Sequence, residues 1–301
     1  MKKIVFSILF ILTASAFAQE MSQVSNFRHN QLLFNPAAAG INETELNLAA
    51  MWRLQWTALG DGAPNYQYLW ADYKLNDSKS AFGLNMNRTT FGVTRIMEIS
   101  GNYSYQLRLN TKWKLGMGLR FGGNFIRVNE LPSDRIWDAG DPFENVPVAS
   151  YSIPAAGTGF RLYSDNAYAG IAAPDLISMD KNNVYGNKGA SFFKKKRNYS
   201  LLAGYVFPLS DAYRLSPNLM VLYFPGGQVR TNVNLNFEIR DYFWAGLTYS
   251  SNHFHSAMVG THISSTLKAS YAYQFGIGKN IPGKFNTHEI SLILNLDTVR
   301  K

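Results

Sequence analysis

The strongest constraint on the fold is a strict two-residue alternation of side chains over residues 96–121. In its first half one face is largely apolar, with Met97, Ile99, Gly101, Tyr103, Tyr105 and Leu107. The intervening residues are mostly polar, and the pattern resumes after a turn at Asn110 and Thr111. Because successive side chains of a strand point to opposite faces, this period predicts a β-hairpin with one apolar and one polar face. Each half has about the ~9–11 residues that a tilted strand needs to cross a bilayer, although soluble sandwiches alternate as well.

The same alternation recurs in about fourteen segments, an even number like that of closed barrels in bacterial outer membranes. Counted from the first strand, every even-numbered connection is short, whereas the two longest irregular stretches, residues 129–155 and 174–197, are both odd-numbered. A soluble sandwich has no reason to sort its connections in this way. We therefore predict an all-β fold, a transmembrane antiparallel β-barrel of about 14 strands with long external loops and short periplasmic turns.

Aromatic residues near the predicted strand ends are typical of the girdles that such barrels place at both membrane interfaces. These residues are Trp52, Tyr66, Trp113, Phe121, Tyr223 and Tyr242. The ordinary preference of aromatic residues for strands accounts for some of them.

The first eighteen residues predict a secretory signal peptide, because Lys2 and Lys3 precede a short apolar run that ends in small residues. We expect cleavage near Ala18. The chain then divides into the signal peptide (1–18), an N-terminal periplasmic or barrel-mouth segment (19–42) and an outer-membrane β-barrel (43–301).

Cysteine is absent from the sequence, which excludes a small disulfide scaffold. Loss of the two lysines lowers the formal charge from +9 to +7. That excess suits solvated loops or anionic outer-membrane lipid, and it does not indicate nucleic acid, because the protein is exported.

Motifs for catalysis or cofactor binding are missing: the sequence contains no nucleophile elbow, P-loop, paired-cysteine site or metalloprotease helix motif. His253 and His255 could hold a metal, and the acids between Asp134 and Glu144 could bind calcium, but a loop edge and a solvated loop are the simpler interpretations. We therefore predict a protein that is not an enzyme and that has no cofactor or metal.

Several short blocks resemble the PorP/SprF family of outer-membrane proteins, which is associated with type IX secretion and gliding motility in Bacteroidota. One block near the mature N-terminus includes Asn35, Pro36, Ala37 and Gly40, a second has Arg53, Gln55 and Trp56, and a third in the last strand has His288 and Glu289. Further matches lie at residues 167–170, 204–205 and 215–217. The resemblance covers nearly the whole mature chain, but it does not extend to the two long loops.

Each block also has a physical interpretation. The Asn35–Pro36–Ala37 block could fold the N-terminal segment into the periplasmic mouth of the barrel, or could be a plain turn. Alternation places Arg53 and Gln55 on the polar face, where Arg53 could pair with Glu45 or Glu289. His288 shares the opposite face with Ile290.

The resemblance implies a non-enzymatic component of type IX secretion that assists export or surface anchoring of an adhesin-like protein. Its partners would be that exported substrate and type IX envelope components on the periplasmic side. A passive pore or small-solute transporter is the alternative, and the openness of the lumen would discriminate between them. Partner binding is expected in the long loops, which combine aromatic and basic residues: Trp137, Phe143, Tyr151, Tyr185, Phe192, Phe193, Lys194, Lys195, Lys196 and Arg197. These aromatic residues could instead pack onto the barrel mouth.

Overall fold

The protein is a closed antiparallel β-barrel in a computed structural model. The structure describes residues 24–42, 44–75, 79–129, 149–178, 198–225, 228–240, 242–277 and 286–297. Each strand pairs antiparallel with its neighbours in sequence, and the last strand pairs with the first along its whole length. Lipid offers no partners to a sheet edge, so this closure is what a membrane-embedded sheet requires.

The strand bounds are β1 (Leu46–Gln55), β2 (Asn65–Lys74), β3 (Ser80–Phe91), β4 (Thr94–Arg108), β5 (Lys114–Val128), β6 (Ala149–Tyr163), β7 (Ala167–Ser178), β8 (Tyr199–Tyr205), β9 (Phe207–Pro208), β10 (Tyr213–Phe224), β11 (Gln228–Ile239), β12 (Phe243–Ser250), β13 (Phe254–His262), β14 (Leu267–Gly276) and β15 (Thr287–Leu296). Both β8 and β9 pair with β10 and are separated by Val206 alone, so they form one interrupted strand. The barrel therefore has 14 strands, as predicted.

Helices in the described part of the chain are short. They are a single α-helical turn, α1 (Gln31–Phe34), and two 3₁₀ turns (Pro36–Ala38 and Thr57–Leu59). No helix among the described residues is both long and apolar enough to cross a membrane.

The predicted alternation is present in the strands. In β11, Leu235 is 46% exposed on the outer face, whereas its neighbour Asn234 is 1% exposed in the lumen. In β4, Met97 and Tyr103 point outward while Ser100 and Asn102 are buried inside. Apolar side chains thus cover the surface that meets lipid, and polar side chains line most of the interior.

The two ends of the barrel carry different connections. At one end, the turn end, no connection is longer than the five residues between β2 and β3 or between β4 and β5. The opposite end, the loop end, carries residues 129–148 and 179–198, together with the connections 56–64 and 277–286. This sorting agrees with the parity read from the sequence.

The predicted bounds of both long loops and the placement of Tyr151 in a loop were wrong. β6 begins at Ala149 and β7 continues to Ser178, so the long loops are shorter than predicted and Tyr151 lies in the wall, opposite Ile126. Prolines caused this error: Pro154 sits inside β6, and Pro174 lies at an irregularity where β7 has extra residues opposite Gly157. A proline removes one ladder donor without stopping its neighbours from pairing.

Two of the predicted girdle residues also lie elsewhere. Tyr66 is 5% exposed and points into the lumen, because β2 turns Tyr66, Tyr68 and Trp70 inward. Phe121 does face outward, but it lies at the middle of β5 and not near an end, since that strand continues to Val128.

The hydrophobic core lies inside the barrel. It joins apolar residues of the N-terminal segment to inward residues of the wall: Val24, Phe27, Leu32, Phe34 and Ala39 with Ala49, Met51, Tyr68, Trp70, Ala81, Leu202, Met220, Leu222, Phe224 and Ile293. Ile293, which breaks the alternation of the last strand, is explained by this core. The apolar contribution of the segment before β1 to this core was not predicted.

Candidate functional site

Residues 24–42, which we call the lumen segment, run through the interior of the barrel. Ser25 lies near the loop end, beside Glu289 of β15, and Gly40 lies near the turn end, beside Ala81 of β3. The segment was expected at the periplasmic mouth, but only its last part is at the turn end. The family block at residues 35–40 therefore contacts the wall inside the lumen and not only at the mouth of the barrel.

A buried ion pair anchors the loop-end part of the lumen segment. Arg53 Nη1 lies 3.1 Å from Glu289 Oε2, and these two residues are 0% and 2% exposed. Glu289 accepts hydrogen bonds from the backbone N–H groups of Ser25 (2.9 Å) and Asn26 (3.1 Å). Arg53 also donates to Ser25 Oγ and to Gln274 Oε1. Each charge therefore has a partner of opposite sign and further hydrogen bonds, which is what a buried pair requires.

Two further arginines hold the middle of the lumen segment. Arg120 of β5 donates to the carbonyl oxygens of Leu32 and Leu33, the second at 3.1 Å. Arg161 of β6 donates to Gln31 Oε1. Arg120 also donates to Asn102 of β4, so a contact within the wall holds its side chain in the direction of the segment.

The Asn35–Pro36–Ala37 block binds the wall where the wall carries glycine. Asn35 Oδ1 accepts from the backbone N–H of Ala37 (2.9 Å), so Asn35 caps the 3₁₀ turn that begins at Pro36. Asn35 Nδ2 donates to the carbonyl oxygen of Phe160 in β6 (3.1 Å). A Cβ atom on Gly118 would lie 2.1 Å from the backbone nitrogen of Ala37, so only glycine admits the segment there.

The other family-motif residues have separate positions. Gln55 is buried and points inward above Arg53. Trp56 has a left-handed φ of 55° and its ring lies 6.2 Å from that of Phe254, at the loop end. Gly40 has a φ of 70° where the segment turns toward β1. His288 lies on the outer face, where its Nδ1 is 2.7 Å from the hydroxyl of Tyr271.

The structure therefore joins Arg53, Glu289 and the start of the lumen segment, and it leaves His288 outside that group. Of the two partners considered for Arg53, Glu289 is the one in contact. Among the expected partner-binding residues, Tyr151 belongs to β6, and the remaining nine lie outside the described residues: Trp137, Phe143, Tyr185, Phe192, Phe193, Lys194, Lys195, Lys196 and Arg197.

Sequence reasoning missed the wall residues that bind the segment. Alternation does place Arg120, Gln106 and Gly118 on the inward face, but it does not indicate what they contact. The available signal was the combination of inward glycines with inward arginines in adjacent strands, since missing side chains leave room for a second chain and arginines bind its carbonyl oxygens.

Comparisons with known proteins agree with this architecture. Residues 16–294 match the family model described as type IX secretion system membrane protein PorP/SprF, which confirms the resemblance. No curated protein sequence matched the chain.

Several solved structures are similar. The CymD monoaromatic hydrocarbon channel has a TM-score of 0.54 at 13% identity, covering 89% of this chain and 93% of that one. A TodX monoaromatic hydrocarbon channel with a deltaS2S3 mutation has a TM-score of 0.51 at 10% identity, covering 88% and 94%. The outer membrane protein Omp33 of Acinetobacter baumannii has a TM-score of 0.49 at 5% identity, covering 84% and 98%. At these identities the likeness to CymD and TodX shows the fold alone.

Proposed function

Because this chain belongs to the PorP/SprF family of type IX secretion system membrane proteins, we propose that it helps an exported, adhesin-like protein to reach or stay on the cell surface. The protein resides in the outer membrane and acts there without catalysis. The observation that carries this proposal is the family match over residues 16–294, which includes the barrel and the segment inside it. A signal peptide cleaved near Ala18 would deliver the chain to the periplasm.

The occupied lumen supports this function over a passive pore. CymD and TodX are named as hydrocarbon channels, but this chain shares only 13% and 10% identity with them. Here the lumen segment packs into the core of the barrel from the loop end to the turn end. An open, water-filled bore is what a porin needs, and side chains and backbone of residues 24–42 fill that space.

We place the loop end outside the cell and the turn end in the periplasm, as in other outer-membrane barrels. The exported protein then meets the loops 129–148 and 179–198, whose aromatic residues can act as anchors and whose Lys194–Arg197 run can contact an acidic surface. Type IX envelope components meet the turns at the other end.

Loop replacement with a matched control tests this proposal. Residues 131–146 and 181–195 are replaced by short turns, and heat-dependent gel mobility confirms that the barrel still forms. We expect one or a few exported proteins to disappear from the surface proteome, while uptake of small solutes is unchanged. As the control, shortening the connection 277–286 at the same end should leave the surface proteome intact. A normal surface proteome in both variants, with altered solute uptake after deletion of the whole protein, would replace this function by the pore.

A further inference from the structure

The wall of the barrel binds both the main chain and the side chains of the lumen segment. Side chains from five strands hold six backbone groups: the N–H groups of Ser25 and Asn26, and the carbonyl oxygens of Leu32, Leu33, Phe34 and Ala39. Recognition of backbone groups by fixed side chains is how proteins bind peptides of varied sequence, with side-chain pockets adding specificity.

A comparable set of contacts binds particular side chains, including Arg28, which pairs with Glu238, and Asn26, which donates to Ser270 Oγ. Gln31 is bound by Arg161, Asn30 Oδ1 accepts from the indole N–H of Trp70 (3.1 Å), and Asn35 reaches the carbonyl oxygen of Phe160. Phe27 and Phe34 belong to the buried apolar cluster that also contains Leu202, Met220, Leu222 and Phe224 of the wall. A ligand of similar chemistry would be a segment with two aromatic residues seven positions apart, followed by Asn–Pro and small residues.

The wall does not need the segment in order to close. Residues 24–42, all of them described, contain no strand, and the ring of paired strands is complete through the ladder between β1 and β15. Arg53 and Glu289 remain paired with each other if Ser25 and Asn26 leave. The polar inward residues, such as Asn85, Arg120 and Ser200, are side chains that water can solvate, whereas the apolar wall residues of the core would lose their cover. The segment can therefore leave with the ladder of strands intact, at the cost of its own contacts and of exposing the apolar wall residues that it covers.

We propose that the lumen is a binding site for a polypeptide segment, that residues 24–42 are its resident ligand, and that a segment of the exported protein with similar chemistry displaces them. This inference rests on the proposed function for the identity of the partner. A tethered ligand competes at an effective concentration of about millimolar, so the partner has to bind well or the resident segment has to be weakened first.

The test uses a labelled synthetic peptide of residues 24–42 and the purified full-length chain in detergent micelles, with fluorescence anisotropy as the readout. Asn35→Ala and Gln31→Ala each weaken the resident segment and leave the peptide unchanged. We expect each variant to bind the peptide at least ~10-fold more tightly than the unaltered chain does, since about 1.4 kcal/mol is tenfold. Asn232→Ala, which removes a bond to Ser250 within the wall, should bind no more tightly.

A covalent lock provides the decisive control. The chain has no cysteine, so Asn26→Cys with Ser270→Cys, whose side chains are in contact at 3.2 Å, can tie the segment to β14. Introduced into the Asn35→Ala chain, the oxidised lock should abolish peptide binding and reduction should restore it. As a matched pair, Asn234→Cys with Thr248→Cys ties two wall strands and should have no effect.

Two kinds of result would overturn the inference. Failure of the peptide to bind either weakened variant means that the segment is a permanent part of the core. Binding that survives the oxidised lock, or that a scrambled peptide reproduces, means that the peptide binds elsewhere. Neither result touches the proposed function, which the surface proteome tests separately. If instead the peptide binds as expected and the surface proteome is normal in cells that lack the protein, the lumen site stands and the secretion role falls.

Discussion

Neutralising Glu289 should be among the most damaging single changes in this barrel. Glu289→Gln keeps the size of the side chain but leaves Arg53 as a charge without its counterion. The two side chains are 0% and 1% exposed, so screening by water is slight. Removing one partner of a buried pair costs about 3–5 kcal/mol. The amide retains one acceptor for the N–H groups of Ser25 and Asn26, and the N–H group that loses its acceptor adds about 1–3 kcal/mol.

The reciprocal change, Arg53→Met, should cost less, because both N–H groups continue to satisfy the carboxylate. The double variant should lose at least ~2 kcal/mol less than the sum of the single variants, since neither charge is then left alone. The free energy of unfolding is measured in urea, from tryptophan fluorescence of the barrel in lipid vesicles. Glu238→Gln is the comparison: Glu238 pairs with Arg28 and with Arg214, whose side chains are 19% and 41% exposed, so water can solvate the arginines left behind and we expect a smaller loss than for Glu289→Gln. Equal losses for Glu289→Gln and Glu238→Gln, or strictly additive single losses, would refute the assignment of a dry ion pair.

Three further predictions concern the wall, the glycine contact and the orientation. Leu235→Arg, near the middle of the outer face, should destabilise the barrel by about 2–4 kcal/mol in the same urea assay, whereas Val229→Arg near the loop end should cost about 0–1 kcal/mol; equal costs would contradict the membrane depth. Gly118→Ala should disrupt the lumen segment and raise its cleavage by protease, because the added Cβ would lie 2.1 Å from Ala37, while Gly101→Ala, whose nearest neighbour would be 4.0 Å away, should be tolerated. A cysteine at Asn187 should react with an impermeant reagent in intact cells and one at Ser210 should not, and the opposite labelling would reverse the barrel in the membrane.

Most of the fold could be predicted from the alternation of apolar and polar residues in the strands. Alternation placed Arg53 and Gln55 on the polar face, and the structure turns both into the lumen while Trp52 points outward. His288 and Glu289, which were assigned to the last strand, lie in β15. A period of two is a local property, so a sequence reports it directly.

The lumen segment could not be predicted in the same way. Its position depends on contacts between residues more than two hundred positions apart, such as Asn26 and Glu289, and no local period encodes such a contact. The bounds of the long loops were predicted wrongly at the prolines for a related reason. Whether Pro154 ends a strand depends on the ladder with Gly123, which belongs to the neighbouring strand and not to the local sequence.

The carboxylate that holds Ser25 and Asn26 also has a consequence for the order of assembly. β15 is the last strand of the barrel in chain order, yet it supplies both the ladder that closes against β1 and the anchor for the start of the lumen segment. A nascent chain that lacks its final ten-residue strand therefore has an open edge on β1 and an unanchored N-terminal segment at the same moment. Insertion should consequently be all-or-none with respect to this strand: a stop codon before Thr287 would yield aggregation-prone open sheets instead of a barrel that is merely one strand smaller.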